Sequence, residues 1–145
     1  MKRYTYLILL ILTGLVINSC ALEDDLNEMF YNRTWYIVGG KLNGTELNSE
    51  VKGFYANGSE GYKFVFQTES FAGELTKGDH FSGTWHVNGK NRTISFNIKN
   101  EAEASSNFDH NVYTVIRDIK YYKGDCNYLQ LFADKDNYLR LNYER

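Results

Sequence analysis

Residues 80–100 constrain the fold more than any other stretch of the chain. From His80 to Val87 the side chains alternate, with Phe81, Gly83, Trp85 and Val87 on one face and Ser82, Thr84 and His86 on the other. Asn88-Gly89 follows, a dipeptide that favours the tight turn of a two-residue hairpin. Thr93 to Asn100 then returns with Ile94, Phe96 and Ile98 opposed to Thr93, Ser95 and Asn97. A period of two with one apolar face belongs to an antiparallel sheet that buries one side and wets the other. A helix cannot carry that pattern, and parallel strands, covered on both faces, do not need it.

The same reasoning finds further strands. Tyr62 to Gln67 places Tyr62, Phe64 and Phe66 on one face, and Phe71 to Thr76 follows, ended by the turn Lys77-Gly78-Asp79. Thr34 to Lys41 reads as a first strand, Asn43-Gly44 as its turn, Thr45 to Lys52 as a weak, polar return, and Asn57 to Gly61 as a loop. Tyr128 to Ala133 and Tyr138 to Tyr143 form a last hairpin around residues 134–137. Its Leu129, Leu131, Leu139 and Leu141 share the core face, which leaves Tyr128, Phe132, Tyr138 and Arg140 on the opposite one. An aromatic content of 16% suits strands, and with no proline the turns fall to Gly, Asn and Asp.

After Asn100 the period changes. Phe108, Val112, Val115, Ile116 and Ile119 make a helical stripe, with Ser106 as cap and Asp109 three residues on. This spacing predicts a helix near Ser106 to Asp118, against a rival strand through Val112 to Ile116. The expected fold is therefore mainly β: an antiparallel curved sheet or small barrel of seven to eight strands with one late α-helix. Its expected core contains Trp35, Phe64, Phe66, Trp85, Ile94, Phe96, Leu129, Leu131, Leu139 and Leu141. Residues 30–145 read as a single β-rich domain, long enough to bury a core unaided.

The N-terminus reads as an address. Lys2 and Arg3 precede an uncharged run from Tyr4 to Ile17, too short for the roughly 20 residues that cross a bilayer and suited to a secretory signal. Ile17-Asn18-Ser19-Cys20 resembles the bacterial lipobox, which implies a signal peptide over residues 1–19 and a diacylated Cys20 as the mature N-terminus. Sequons at Asn32, Asn43, Asn57 and Asn91 would suit a eukaryotic secreted chain, but Asn-rich loops produce them by chance. Residues 20–29 then read as the lipidated cysteine and an acidic tether, with a helical turn from Met29 to Asn32 closing the domain's end. Glu23, Asp24 and Asp25 resemble the surface-export signal of Bacteroidetes lipoproteins, and Ala21 is compatible with the outer membrane. The expected address is the outer membrane, lipid-anchored and surface-exposed. Once the signal has taken Lys2 and Arg3, the remaining chain is mildly acidic and carries no basic stripe, so nucleic acid is not an expected partner. With Cys20 lipidated, Cys126 is left alone and reads as a buried, inert thiol.

Trp35, Leu42-Asn43-Gly44, Phe64 to Phe66, Phe71-Ala72-Gly73, Gly83-Thr84-Trp85, the late helix, Tyr122, Gly124-Asp125 and Leu129-Gln130-Leu131 together resemble the META domain, over about residues 34–143. The chain lacks that family's Gly-Cys-Asn signature after the second glycine. It is also similar to small lipocalin-like lipoproteins of Bacteroidetes. Both resemblances imply a β-rich extracytoplasmic module and carry no catalytic residues onto this chain.

Chemistry is sparse. His80 and His86, six apart on one strand, lie roughly 20 Å from each other and cannot share a zinc ion. His110 stands on the predicted helix. No nucleophile elbow, phosphate loop or His-Glu-x-x-His occurs. Asp134, Asp136 and Asn137 lack the glycine and distal glutamate of a calcium loop. No cofactor or metal is expected. The reading that follows is a non-catalytic binding or interaction module on the cell envelope, taking a protein or small-molecule ligand at a patch of Tyr128, Phe132, Tyr138 and Arg140. The alternative is a small envelope hydrolase or enzyme inhibitor whose site is built from tertiary contacts. The membrane would be a partner through the lipid. Changing Cys20 to Ala should abolish palmitate labelling and either release the protein from the membrane fraction or stall its precursor. Unchanged labelling would sink the anchor.

Overall fold

The fold is described from a computed structural model covering residues 22–47, 61–76 and 78–143. Cys20 and its flanks, the expected return strand beyond Leu47 and most of the Asn57–Gly61 loop lie outside the described residues. The chain forms α1 (Leu22–Phe30), β1 (Arg33–Leu42), β2 (Thr45–Glu46), β3 (Lys63–Phe66), β4 (Ser70–Glu74), β5 (His80–Asn88) and β6 (Thr93–Asn100). Then come α2 (Asn107–Asp118), β7 (Tyr121–Gly124), β8 (Tyr128–Phe132) and β9 (Tyr138–Tyr143). Every pairing is antiparallel and follows chain order from β3 to β9.

β1 closes the sheet. Its first residues pair with β3, Trp35 opposite Phe64, and its length pairs with β9, from Trp35 opposite Tyr143 to Lys41 opposite Tyr138. Eight strands, β1 and β3 to β9, thus form a barrel, and β2 extends the far end of β1. A bulge between Ile37 and Gly39 bends β1 enough to serve both neighbours. Gly40 holds φ +154°, and a β-carbon there would collide with the Tyr138 carbonyl, so the seam with β9 requires glycine. The narrowest seam is β6 to β7, one register pair, Thr93 with Tyr121. It is flanked by Ile94 N–H donating to the Lys120 carbonyl at 3.1 Å and Tyr122 N–H donating to the Arg92 carbonyl at 3.0 Å.

Among the described residues the sheet has nine strands, of which eight close, where the sequence predicts seven to eight. β7 escapes sequence reading because Tyr-Tyr-Lys-Gly shows no apolar alternation. Its partner Phe132 and neighbour Leu131 supply the face it packs on.

Aromatic rings fill the interior. Phe64 meets Phe66, Phe71, Phe81 and Phe96 at ring-centroid distances of 5.5–6.5 Å. At Gly73 the Phe81 ring lies where a β-carbon would be, so a bare backbone makes room for the ring. The expected core residues are buried except Trp85 and Phe96, which are half-buried against the cluster.

Each end of the barrel carries a helix. Residues 22–30, read above as tether up to residue 29, are helical, and Met29 and Phe30 are buried. The acidic composition hides a helical set of Leu26, Met29 and Phe30 on one face. Phe30 inserts among Phe66, Trp85 and Tyr122, with centroids at 5.3, 5.3 and 5.2 Å, and the Met29 carbonyl accepts Trp35 Nε1 at 2.9 Å. At the other end α2 buries Val112, Tyr113, Val115 and Ile116. The helix begins as its cap predicts, with the Asp109 N–H donating to Ser106 Oγ at 2.9 Å.

Because α1 is shorter than the about 12–15 residues at which helices become stable alone, packing must hold it. Phe30→Ala should cost about 3–5 kcal/mol in a denaturant melt. A loss under about 1 kcal/mol would show that α1 is no part of the core.

Candidate functional site

The most organised surface is the outer wall of β7, β8 and β9. Register places Tyr121 opposite Phe132 and Phe132 opposite Tyr138, and on the next rung Lys123 opposite Gln130 and Gln130 opposite Arg140. Tyr121 and Phe132 stack at 4.7 Å and 4°, and Phe132 meets Tyr138 at 5.0 Å and 34°. Lys123 Nζ lies 5.4 Å from the Phe132 ring centroid, a cation–π contact. Arg140 reaches across β1 to Glu46, Nη2 to Oε2 2.8 Å. These contacts leave Phe132 only 8% exposed although it points out of the barrel.

The structure therefore brings together Phe132, Tyr138 and Arg140, and adds Tyr121 and Lys123. It does not join Tyr128 to them. Tyr128 is exposed and pairs with Asn142, four positions along the strand from the Phe132–Tyr138 rung, about 13 Å away. Tyr121 and Lys123 were missed with β7; their two-residue spacing beside Tyr122 was the available signal.

A polar cleft of about 230 Å³ adjoins this wall at the α2 end. Asn43, Asn111, Thr114, Asp118, Asp134 and Asn137 line it over a floor of Leu42, Val115 and Ala133. The β8–β9 turn that forms one side joins Phe132 directly to Tyr138. Asp134 is fully committed there: Oδ1 accepts the Asp136 and Asn137 N–H groups at 2.8 and 2.9 Å, and the Asn137 amide donates to both oxygens. The Asn137 amide, the Asp136 N–H and the other donors hold its carboxyl below the usual range against a small desolvation cost. Asn137 Oδ1 in turn accepts the Asn43 N–H at 2.8 Å.

Two other clefts are less organised. One of about 170 Å³ lies beside α1, lined by Glu28, Arg92, Tyr122, Asp125 and Cys126. Cys126 is a half-buried free thiol in the β7–β8 turn, not the fully buried one that the sequence suggests, and its carbonyl accepts Arg33 Nη1. The other, about 470 Å³, collects Asp79, His80, Glu101 and Glu103, with Asp79 committed to the Glu103 and Ala104 N–H groups at 2.7 and 2.8 Å. Among the described residues no three His, Cys, Asp or Glu side chains converge as metal ligands. His80 and His86 are exposed on β5. Glu23, Asp24 and Asp25 fall within α1.

Two buried carboxylates are structural. Asp109, 1% exposed, accepts the Tyr62 hydroxyl, Thr76 Oγ1 at 2.8 Å and Ser106 Oγ at 2.7 Å, and so ties α2 to the residue before β3 and the turn after β4. Glu74, 5% exposed, pairs with Lys63 at 3.1 Å and accepts the Gly78 N–H at 2.8 Å. Burial works against its charge, yet the Gly78 N–H and Lys63 together hold the Glu74 carboxyl below its ordinary value of 4.5.

The fold defines a class: a small antiparallel barrel with an aromatic-filled interior and a helix at each end. Residues 22–145 match the family described as domain of unknown function DUF4847, and the chain belongs to that family. Among solved structures it is similar to a DUF4847 family protein from Bacteroides vulgatus ATCC 8482, at 17% identity and a TM-score of 0.64, over 82% of this chain and 97% of that one. That likeness shows the fold. The comparison with curated proteins gives no match.

Glu74 sets a pH dependence. Because its folded value is depressed, its contribution is complete above pH 4.5 and is lost as pH falls through the folded value. Glu74→Gln should cost roughly 1–3 kcal/mol at pH 7, and the gap to wild type should shrink as the pH drops below 4.5. A gap independent of pH, followed by urea melts between pH 3 and 7, would remove Glu74 as its source.

Proposed function

We propose that this is a non-catalytic binding protein of the cell envelope, anchored in the outer membrane by lipid on Cys20 and displayed outward. It meets its ligand with the outer wall of β7 to β9 and the adjoining cleft. The observation that carries this reading is the Tyr121–Phe132–Tyr138 stack with Lys123 over it and Arg140 held by Glu46. Tyr and Arg dominate binding energies where they are held rigid, because little side-chain freedom is then lost on contact.

The packed interior supports an exterior site. The META-like and lipocalin-like likeness is one of β-rich architecture. A lipocalin's ligand lies inside its barrel, whereas here Phe30 and the phenylalanine cluster occupy that space. The lipobox at Ile17 to Cys20 supports the address, and the acidic Glu23, Asp24 and Asp25 support surface display. α1 starts at Leu22, two residues after Cys20, so a lipid on Cys20 would tether the barrel through α1.

The test is capture of envelope components on the immobilised full chain, comparing wild type, a Tyr138→Ala/Lys123→Ala variant and a Lys90→Ala control. The wall variant should lose the components that wild type and control retain, at an unchanged melting temperature. Identical captured sets from all three would overturn the assignment of the outer wall.

A further inference from the structure

We infer that the cleft between α2 and the β8–β9 turn is a saccharide subsite that takes one sugar ring; this rests on the binding-module reading above. Its lining is suited to hydroxyl groups. Among the described residues the side-chain amides of Asn43 and Asn111 and the carboxylate of Asp118 make no hydrogen bond or ion pair, and all three line the cleft. An amide offers donor and acceptor side by side, and a carboxylate accepts twice, which matches neighbouring hydroxyls that must both donate and accept. Leu42, Val115 and Ala133 give the apolar floor on which the C–H face of a ring rests. The volume of about 230 Å³ is smaller than the roughly 300–1,000 Å³ pockets of drug-sized ligands, so one ring fits and a longer chain must continue outside.

Other ligand chemistries fit less well. An anion would face Asp118 and Asp134. A calcium ion needs about six to eight oxygens, and Asp134 already spends its own on Asn137 and two N–H groups. The wall supplies the continuation: Ala133 and Asp134 follow Phe132, and Asn137 precedes Tyr138, so a second sugar leaving the cleft passes onto the aromatic stack. The cleft is also rigid on that side, because Asn137 is fixed by Asp134 and by the Asn43 N–H.

Titration of the isotopically labelled full chain with the neutral methyl glycosides of glucose, galactose, mannose, N-acetylglucosamine and fucose tests this by NMR. At least one should shift the side-chain amide signals of Asn43 and Asn111. Asn111→Ala and Asp118→Ala, both exposed on α2, should each weaken that sugar at least tenfold without changing the melting temperature. If no glycoside shifts these signals, or if binding survives both substitutions, the subsite is refuted. If the two variants do not fold, the wild-type amide shifts alone decide. Envelope components still captured by the wall, alongside a cleft that ignores every sugar, would sink the saccharide inference and leave the binding module standing.

Discussion

One strand bonded on both edges holds the barrel shut. β1 gives its first residues to β3 and most of its length to β9, and the bulge after Ile37 supplies the twist that both require. Closure removes the open edges that an antiparallel sheet would otherwise leave exposed. It also brings Arg140 of β9 within reach of Glu46 on β2, across the glycines of β1. A side chain at Gly40 would press on the β9 backbone and part the seam.

An eight-stranded barrel is just wide enough for side chains to fill it. Here phenylalanines do so, and the ends are finished by helices tied to the barrel through buried hydrogen bonds. Met29 accepts the buried Trp35 indole, and Asp109 gathers three hydroxyl donors under α2. An unsatisfied carboxylate at that depth would be costly. With its donors in place it fixes where α2 crosses the rim, and so where Asn111 and Asp118 stand relative to the β8–β9 turn.

The exterior is ordered by the same register that orders the core. Leucines of β8 and β9 face inward, which forces Phe132, Tyr138 and Arg140 outward on alternate positions. β7 then adds Tyr121 and Lys123 beside them. The rings of this wall pack against one another without drawing on the inward-facing leucines.

Local pattern determined much of this. Period-two alternation in residues 80–100 and 128–143 and the Ser106 cap are short-range properties, and the strands, their faces and α2 follow from them. The fate of α1 was not legible, because its acidic residues dominate the composition while Phe30 finds its partners on β3, β5 and β7. The patch was half legible: alternation put Tyr128, Phe132, Tyr138 and Arg140 on one face, but pairing with β7 decided that Phe132 and Tyr138 join Tyr121 and that Tyr128 does not. The cleft was not legible at all. It unites Asn43, Asn111, Asp118 and Asn137, residues from three separate segments of the chain. Sequence fixes which way a side chain faces within its own element; only closure of the barrel and the crossing of α2 decide which distant side chains it meets.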